Sequence, residues 1–236
     1  MAKFPARIAS IALLLLTAPA FADDGASNAP TVPNNVIAFG QYFVFYHVHA
    51  SDITGLFAPT GLGINVKDSN TPYFAYLRRL STHLYLELAG GIPPVTKIVG
   101  KGSATVGAVP YNNVEISTAR SLSPSLLIKY VFFDETHIVR PYLAIGANFV
   151  EFYDRDTTPP GNAAAGGPTR IELSNSLGVV GTVGLTVALP HYWGLMLSYS
   201  EARVRTRLHA ITDDVVRTAS IDFNPGAIVF ATTYAF

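Results

Sequence analysis

Gly226-Ala227-Ile228-Val229-Phe230-Ala231-Thr232-Thr233-Tyr234-Ala235-Phe236 closes the chain. Ile228, Phe230, Tyr234 and Phe236 share one parity, while Ala227, Val229, Ala231, Thr233 and Ala235 share the other. Successive side chains of a strand point to opposite faces, so this segment is bulky on one side and small on the other. A bulky face for lipid, a small face for a crowded lumen and an aromatic last residue make the closing strand of an outer-membrane β-barrel.

The opposite end of the chain agrees. Lys3 and Arg7 precede the apolar run Ile8 to Leu16, and Ala18-Pro19-Ala20-Phe21-Ala22 carries the small-x-small pattern of a cleavage site. Residues 1–22 are therefore expected to be a signal peptide, residues 23–35 a flexible periplasmic lead, and residues 36–236 the barrel. Removing 22 of 236 residues leaves 14 basic against 16 acidic side chains, a balance too mild to imply nucleic acid as a partner. Cysteine is absent, which excludes disulfides and thiolate chemistry.

Composition points the same way. Hydrophobic residues make up 49% and charged residues 14%, against about 25% charged in a typical soluble domain. The longest apolar stretch after residue 22, Leu177 to Leu189, is interrupted by Gly178, Gly181, Gly184, Thr182 and Thr186 and falls short of the ~20 residues a spanning helix needs. A membrane chain without such a helix must satisfy its backbone as a closed sheet.

Alternating runs predict eight strands, at about 36–50, 62–79, 83–93, 123–133, 139–153, 174–189, 192–206 and 217–236. The connections at 81–82, 133–137 and 190–191 are short, and those at 51–61, 94–122, 154–173 and 207–216 are long. This strict alternation predicts short periplasmic turns, long outer loops and both termini in the periplasm. The Pro- and Gly-rich segment 154–173 reads as mobile surface chain. Leu126, Ile128 and Tyr130, then Leu143, Ile145 and Phe149, then Leu177, Val179 and Val183 are expected to face lipid. In the first strand, Phe39, Phe43 and Phe45 oppose Tyr42, Val44, Tyr46 and Val48, and either set could be inward.

Three fragments in register carry a resemblance: Tyr85-Leu86-Glu87-Leu88-Ala89-Gly90-Gly91-Ile92-Pro93, Leu122-Ser123-Pro124-Ser125-Leu126-Leu127-Ile128-Lys129-Tyr130 and Arg140-Pro141-Tyr142-Leu143-Ala144-Ile145-Gly146-Ala147-Asn148-Phe149. With terminal Phe236, the chain resembles the OmpW family of outer-membrane proteins, which includes the AlkL-type hydrocarbon importers. It departs from the family at the Ser81-Thr82-His83 turn, at Leu122-Ser123-Pro124, and in lacking an arginine in the first strand. The resemblance implies an all-β, eight-stranded antiparallel transmembrane barrel that passes small hydrophobic solutes inward without a cofactor. It also implies a side opening where a proline weakens the third strand, here Pro93 followed by Pro94. Proline removes a ladder donor, which fits a gap in pairing.

Glu87, Lys129, Arg140 and Asn148 fall on lumen parity. Exposing a basic group to lipid at mid-depth costs about 2–4 kcal/mol, so an inward, paired arrangement is expected, either as a polar constriction or as a structural ion-pair plug. Arg203, Arg205 and Arg207 alternate on one side of the seventh strand. They suit lipopolysaccharide phosphates, or a paired charge network with Glu151 or Glu201. Aromatics near strand ends, among them Tyr42, Tyr46, Phe132, Phe152, Tyr192, Trp193 and Tyr234, suit interfacial girdles. His47 and His49 have a two-ligand spacing without a third, so no metal is expected. His137 and His191 are read as solvated turn residues. The channel reading competes with a receptor or adhesin acting through outer loops, and with a lipid A hydrolase using His49 and Ser51. No enzyme activity is expected, and the barrel is expected to be monomeric in the outer membrane of a Gram-negative bacterium.

Overall fold

The computed structural model describes residues 33–102 and 110–236. The proposed signal peptide and most of the lead lie outside the described residues. The strands are β1 (Asn35–Ala50), β2 (Thr54–Gly55), β3 (Gly63–Val66), β4 (Ser69–Arg79) and β5 (Leu84–Gly91). They continue as β6 (Val95–Lys101), β7 (Glu115–Leu122), β8 (Ser125–Val131), β9 (Val139–Thr157) and β10 (Thr169–Leu173). The last four are β11 (Ser176–Ala188), β12 (Trp193–Ala202), β13 (Val204–Thr212) and β14 (Val215–Ala235).

Eight of these form a closed antiparallel ring. β1 pairs with β4, β4 with β5, β5 with β8, β8 with β9, β9 with β11, β11 with β12 and β12 with β14. β14 then returns to β1, from Val36 opposite Ala235 to Ala50 opposite Ile221. No sheet edge is left in this ring, the condition for a sheet to cross lipid. No described helix is long and apolar enough to span a membrane.

Above the ring, away from the short turns, the wall continues as sheet. β3, β6 and β7 pair in series and join the end of β9, while β10 and β13 extend the start of β14. The segment 154–173, expected to be irregular, is the end of β9, a short helix and β10. Helix α1 (Pro159–Ala165) starts on prolines, whose fixed φ and missing N–H suit the first turn. The Thr158 hydroxyl caps it by accepting from Gly161 N at 3.2 Å.

Parity decides what faces outward. Leu126, Ile128, Leu143, Ile145, Leu177, Val179, Val183, Ile228 and Phe230 are exposed, whereas Leu127, Lys129, Tyr142, Ala144, Val180, Ala227, Val229 and Ala231 are buried. In β1 the open choice resolves with Ala38 and Val44 inside and Ile37, Phe39, Phe43 and Phe45 outside. Partner parity forces this, because Phe43 stands opposite Ile228 and Val44 opposite the buried Ala227. At the turn end, Trp193, Tyr234 and Phe236 form an aromatic row, with centroids 5.0 Å and 6.5 Å apart along it. Tyr42, Tyr46 and Phe152, grouped by sequence with the girdle, instead line the interior, as their parity requires.

Candidate functional site

The lower half of the lumen is solid. Ala38, Tyr73, Ala75, Leu77, Val131, Tyr142, Met196, Val229 and Ala231 pack together there. Glu87 from β5 and Lys129 from β8 meet at its centre, Lys129 Nζ lying 3.3 Å from Glu87 Oε2 with both side chains almost wholly buried. Tyr73 donates to Glu87 Oε1 at 3.1 Å. Lys129 Nζ sits 3.6 Å from the Tyr142 ring centroid and 3.6 Å from Met196 Sδ. Each charge has several partners, the condition under which a buried pair is tolerated. Tyr142 can lie across the lumen because Gly184 offers no side chain; a Cβ there would stand 2.7 Å from the Tyr142 hydroxyl.

Above this plug lies a cavity with about 190 Å³ open to the centres of water-sized molecules. One water needs roughly 10–15 Å³ by that measure, so the space suits a larger guest. Tyr42, Asn148 and Val180 lie toward its floor, and Ile64, Val66, Val204, Leu208, Ile221 and Phe223 supply an apolar wall. Helix α1 contributes Gly161, Ala164 and Ala165, and the turn after β2 contributes Phe57 and Pro59. The segment expected to be mobile thus forms part of the chamber.

Pro93 and Pro94 also line the cavity, at a break in the wall. β4 and β5 pair up to Tyr73 opposite Gly91, and β3 and β6 resume at Val66 opposite Ile98. Between them the backbone bonds are Ile92 N to Pro72 O at 3.2 Å and Lys67 N to Lys97 O at 3.0 Å. The residue offset is the same on both sides, but the inward face changes across the interval, from the odd positions Thr71, Tyr73 and Glu87 below to the even positions Ile64, Val66 and Thr96 above. Successive N–H groups of a strand point to opposite neighbours. Since Ile92 N faces β4, position 93 faces β7 and β8, and position 94 falls where the inward face changes. The adjacent prolines therefore delete two successive donors at this change of face, the first of them toward β7 and β8.

Two carbonyls left without ladder donors are met by side chains. Pro72 cannot donate to the Ile92 carbonyl, and the Thr71 hydroxyl does so instead. On the other flank, Arg120 Nη1 donates to Pro93 O at 3.3 Å, while its Nε lies 3.7 Å from Asp154 Oδ2. The sequence reading missed Pro72, although a proline inside a predicted strand was the available signal.

Other candidates lie apart. Arg140, expected beside Glu87 and Lys129, is at the turn end, where Nη2 donates to the carbonyls of Thr82 at 3.2 Å and Phe133 at 3.1 Å. It stands two residues below Tyr142 on β9, and those turn carbonyls lie within its reach. Asn148 is buried above the plug and separate from it. Its amide donates to the Ser123 and Ser125 hydroxyls at 2.9 Å each, bracing the break between β7 and β8 at Pro124.

Arg203, Arg205 and Arg207 alternate with the buried Val204, Thr206 and Leu208 and so face outward. Arg205 Nε lies 3.3 Å from Asp222 Oδ1, the residue opposite it in register. The expected partners Glu151 and Glu201 do not fill that role, and Glu201 accepts from Tyr199 at 2.7 Å. Ser51 accepts from Ser220 N at 3.0 Å and donates to Asp52 O at 3.2 Å, so its hydroxyl is occupied in the sheet. Among the described residues no cluster of His, Cys, Asp or Glu is arranged to hold a metal. His137 is more than a solvated turn residue: its Nδ1 is 3.0 Å from Asp134 Oδ1. A hydrogen bond from Thr136, and then His137, holds the Asp134 carboxyl down at about 2.

A closed antiparallel ring, apolar outside and plugged within, defines a transmembrane barrel of the outer-membrane class. The chain belongs to the OmpW family, whose model matches residues 40–236. It is 27% identical over 122 residues to outer membrane protein W of Salmonella typhimurium, a match covering 52% of this chain and 57% of that protein. The crystal structure of OprG from Pseudomonas aeruginosa superposes with a TM-score of 0.77 at 17% identity, over 87% of this chain and 96% of that one. AlkL in lipid bilayers gives 0.63 at 16% identity, over 91% and 96% respectively. At these identities the likeness to the solved structures is one of fold.

Proposed function

We propose that this outer-membrane barrel is a passive channel for small hydrophobic molecules, taking them in at the loop end and releasing them sideways into the membrane at Pro72, Pro93 and Pro94. One observation carries the reading: a largely apolar cavity reaches the break in the wall while the lumen beneath it is filled. A solute in the chamber meets less resistance toward lipid than through the buried Glu87–Lys129 pair. The short-turn end, with both chain termini, then faces the periplasm. The closed ring offers no edge to a second copy, in keeping with a monomer. Occupation of the Ser51 hydroxyl argues against hydrolysis at His49 and Ser51. The outward arginines 203, 205 and 207 suit lipopolysaccharide phosphates above the apolar belt.

The test is to restore donors. Pro93→Thr with Pro94→Val returns both missing N–H groups, and the residue offset shared by the strands on either side lets them pair across the interval. Cells carrying this variant in the outer membrane should take up dodecane no faster than cells without the barrel, and wild type several-fold faster. Equal uptake by variant and wild type would refute lateral release. A receptor acting through its loops would be indifferent to this change.

A further inference from the structure

The cavity lining is mixed. Ile64, Val66, Leu208 and Phe223 give it apolar surface, whereas β6, β7 and the turn before β7 add the hydroxyls of Thr96, Ser117 and Tyr111. Two of these, Thr96 Oγ1 and the Tyr111 phenol, are buried and have no hydrogen-bond partner among the described residues. Their residues are only 8% and 5% exposed, and both line the chamber. Native proteins rarely leave such groups unmet, so each calls for a guest or a water. Tyr111 packs over Gly100 of β6, where a Cβ would stand 2.9 Å from its ring. The two hydroxyls thus mark two heights along one strand, and Thr96 lies two residues beyond Pro94.

Resting on the channel reading, we propose that the chamber selects uncharged amphiphiles: an apolar chain bearing one hydroxyl or carbonyl oxygen, held on Tyr111 and then on Thr96 before it leaves at the adjoining break. Plain hydrocarbon of the same length fills the apolar wall but leaves both hydroxyls unmet. A carboxylate gains little, because the cavity's two arginines are engaged. Arg120 is held by Pro93 O and Asp154, and Arg217 by Leu56 O and the Thr212 hydroxyl. A neutral hydroxyl or carbonyl can exchange hydrogen bonds with threonine and tyrosine in either direction or as acceptor alone.

The test compares initial uptake of labelled 1-dodecanol and dodecane by cells carrying the full-length barrel, each corrected for cells without it. Wild type should favour the alcohol, and Thr96→Val and Tyr111→Phe should each lower that preference by about three- to ten-fold, the range set by one net hydrogen bond. Dodecane, which makes no hydrogen bond, should be affected far less than the alcohol in both variants, and recovery of each variant in the outer-membrane fraction shows that they fold and insert. Equal corrected rates for the two solutes in wild type, or a preference that survives both substitutions, would overturn the inference and leave the channel standing. Entry of neither solute above background would overturn the channel reading and this inference with it.

Discussion

Replacing Lys129 by methionine tests the plug. The substitution preserves an unbranched apolar stem but strands the Glu87 carboxylate, whose side chain is 8% exposed and whose nearest cation is Lys129 Nζ at 3.3 Å. Removing one partner of a buried pair costs about 3–5 kcal/mol, because the remaining charge stays desolvated. The Tyr73 hydroxyl still donates to Glu87 at 3.1 Å, so a loss near the lower bound, about 3 kcal/mol, is expected. Adding Glu87→Leu removes the stranded charge and should bring stability back to within about 1 kcal/mol of wild type. Trp193, the single tryptophan of the chain, sits in the turn-end aromatic row and reports unfolding by urea in phospholipid vesicles. A single variant as stable as wild type, or a double variant no better than the single, would refute the reasoning.

Two further expectations follow from local geometry. Gly184→Ala should cost about 1–3 kcal/mol, because the added methyl meets Leu197 O at 2.5 Å and the Tyr142 hydroxyl at 2.7 Å, whereas Gly181→Ala meets nothing within 4 Å and should be neutral in the same unfolding assay. Asp134, held at about 2 against an ordinary 3.8 by Thr136 and His137, contributes stability at pH above its ordinary value, and that contribution is lost as pH falls from there toward 2. Carboxyl NMR titration should find its midpoint near 2, and Asp134→Asn should flatten the acid limb of the stability curve.

Much of the barrel could be read from parity. Leu126, Ile128, Leu143 and Ile145 alternate with residues that bury, and a period of two leaves one solution once the core face is apolar and small. Parity failed in β1, where both faces carry aromatics and only the partner strand decides. Glu87 and Lys129 were legible as a pair because each is a charge on lumen parity, but Tyr142 and Met196 were not, since contacts across a lumen depend on stagger rather than on sequence spacing. Arg140 has the same parity yet lies too near the turns, a question of height that alternation cannot address. Pro93 and Pro94 stood out, whereas the part played by Pro72 depends on which neighbour its missing N–H would face. The helix and strands in 154–173 were obscured by prolines and glycines that also begin and end the helix, at Pro159 and Gly166.

The exit can be tested most directly by stapling it. The chain has no cysteine, so Asn70→Cys with Pro94→Cys, which share the residue offset of Tyr73 and Gly91 below and of Val66 and Ile98 above, introduces one thiol pair across the break. Oxidised, the variant should take up dodecane at the rate of cells lacking the barrel, and a reductant should restore the flux. Uptake that is the same with the staple closed and open would contradict lateral release.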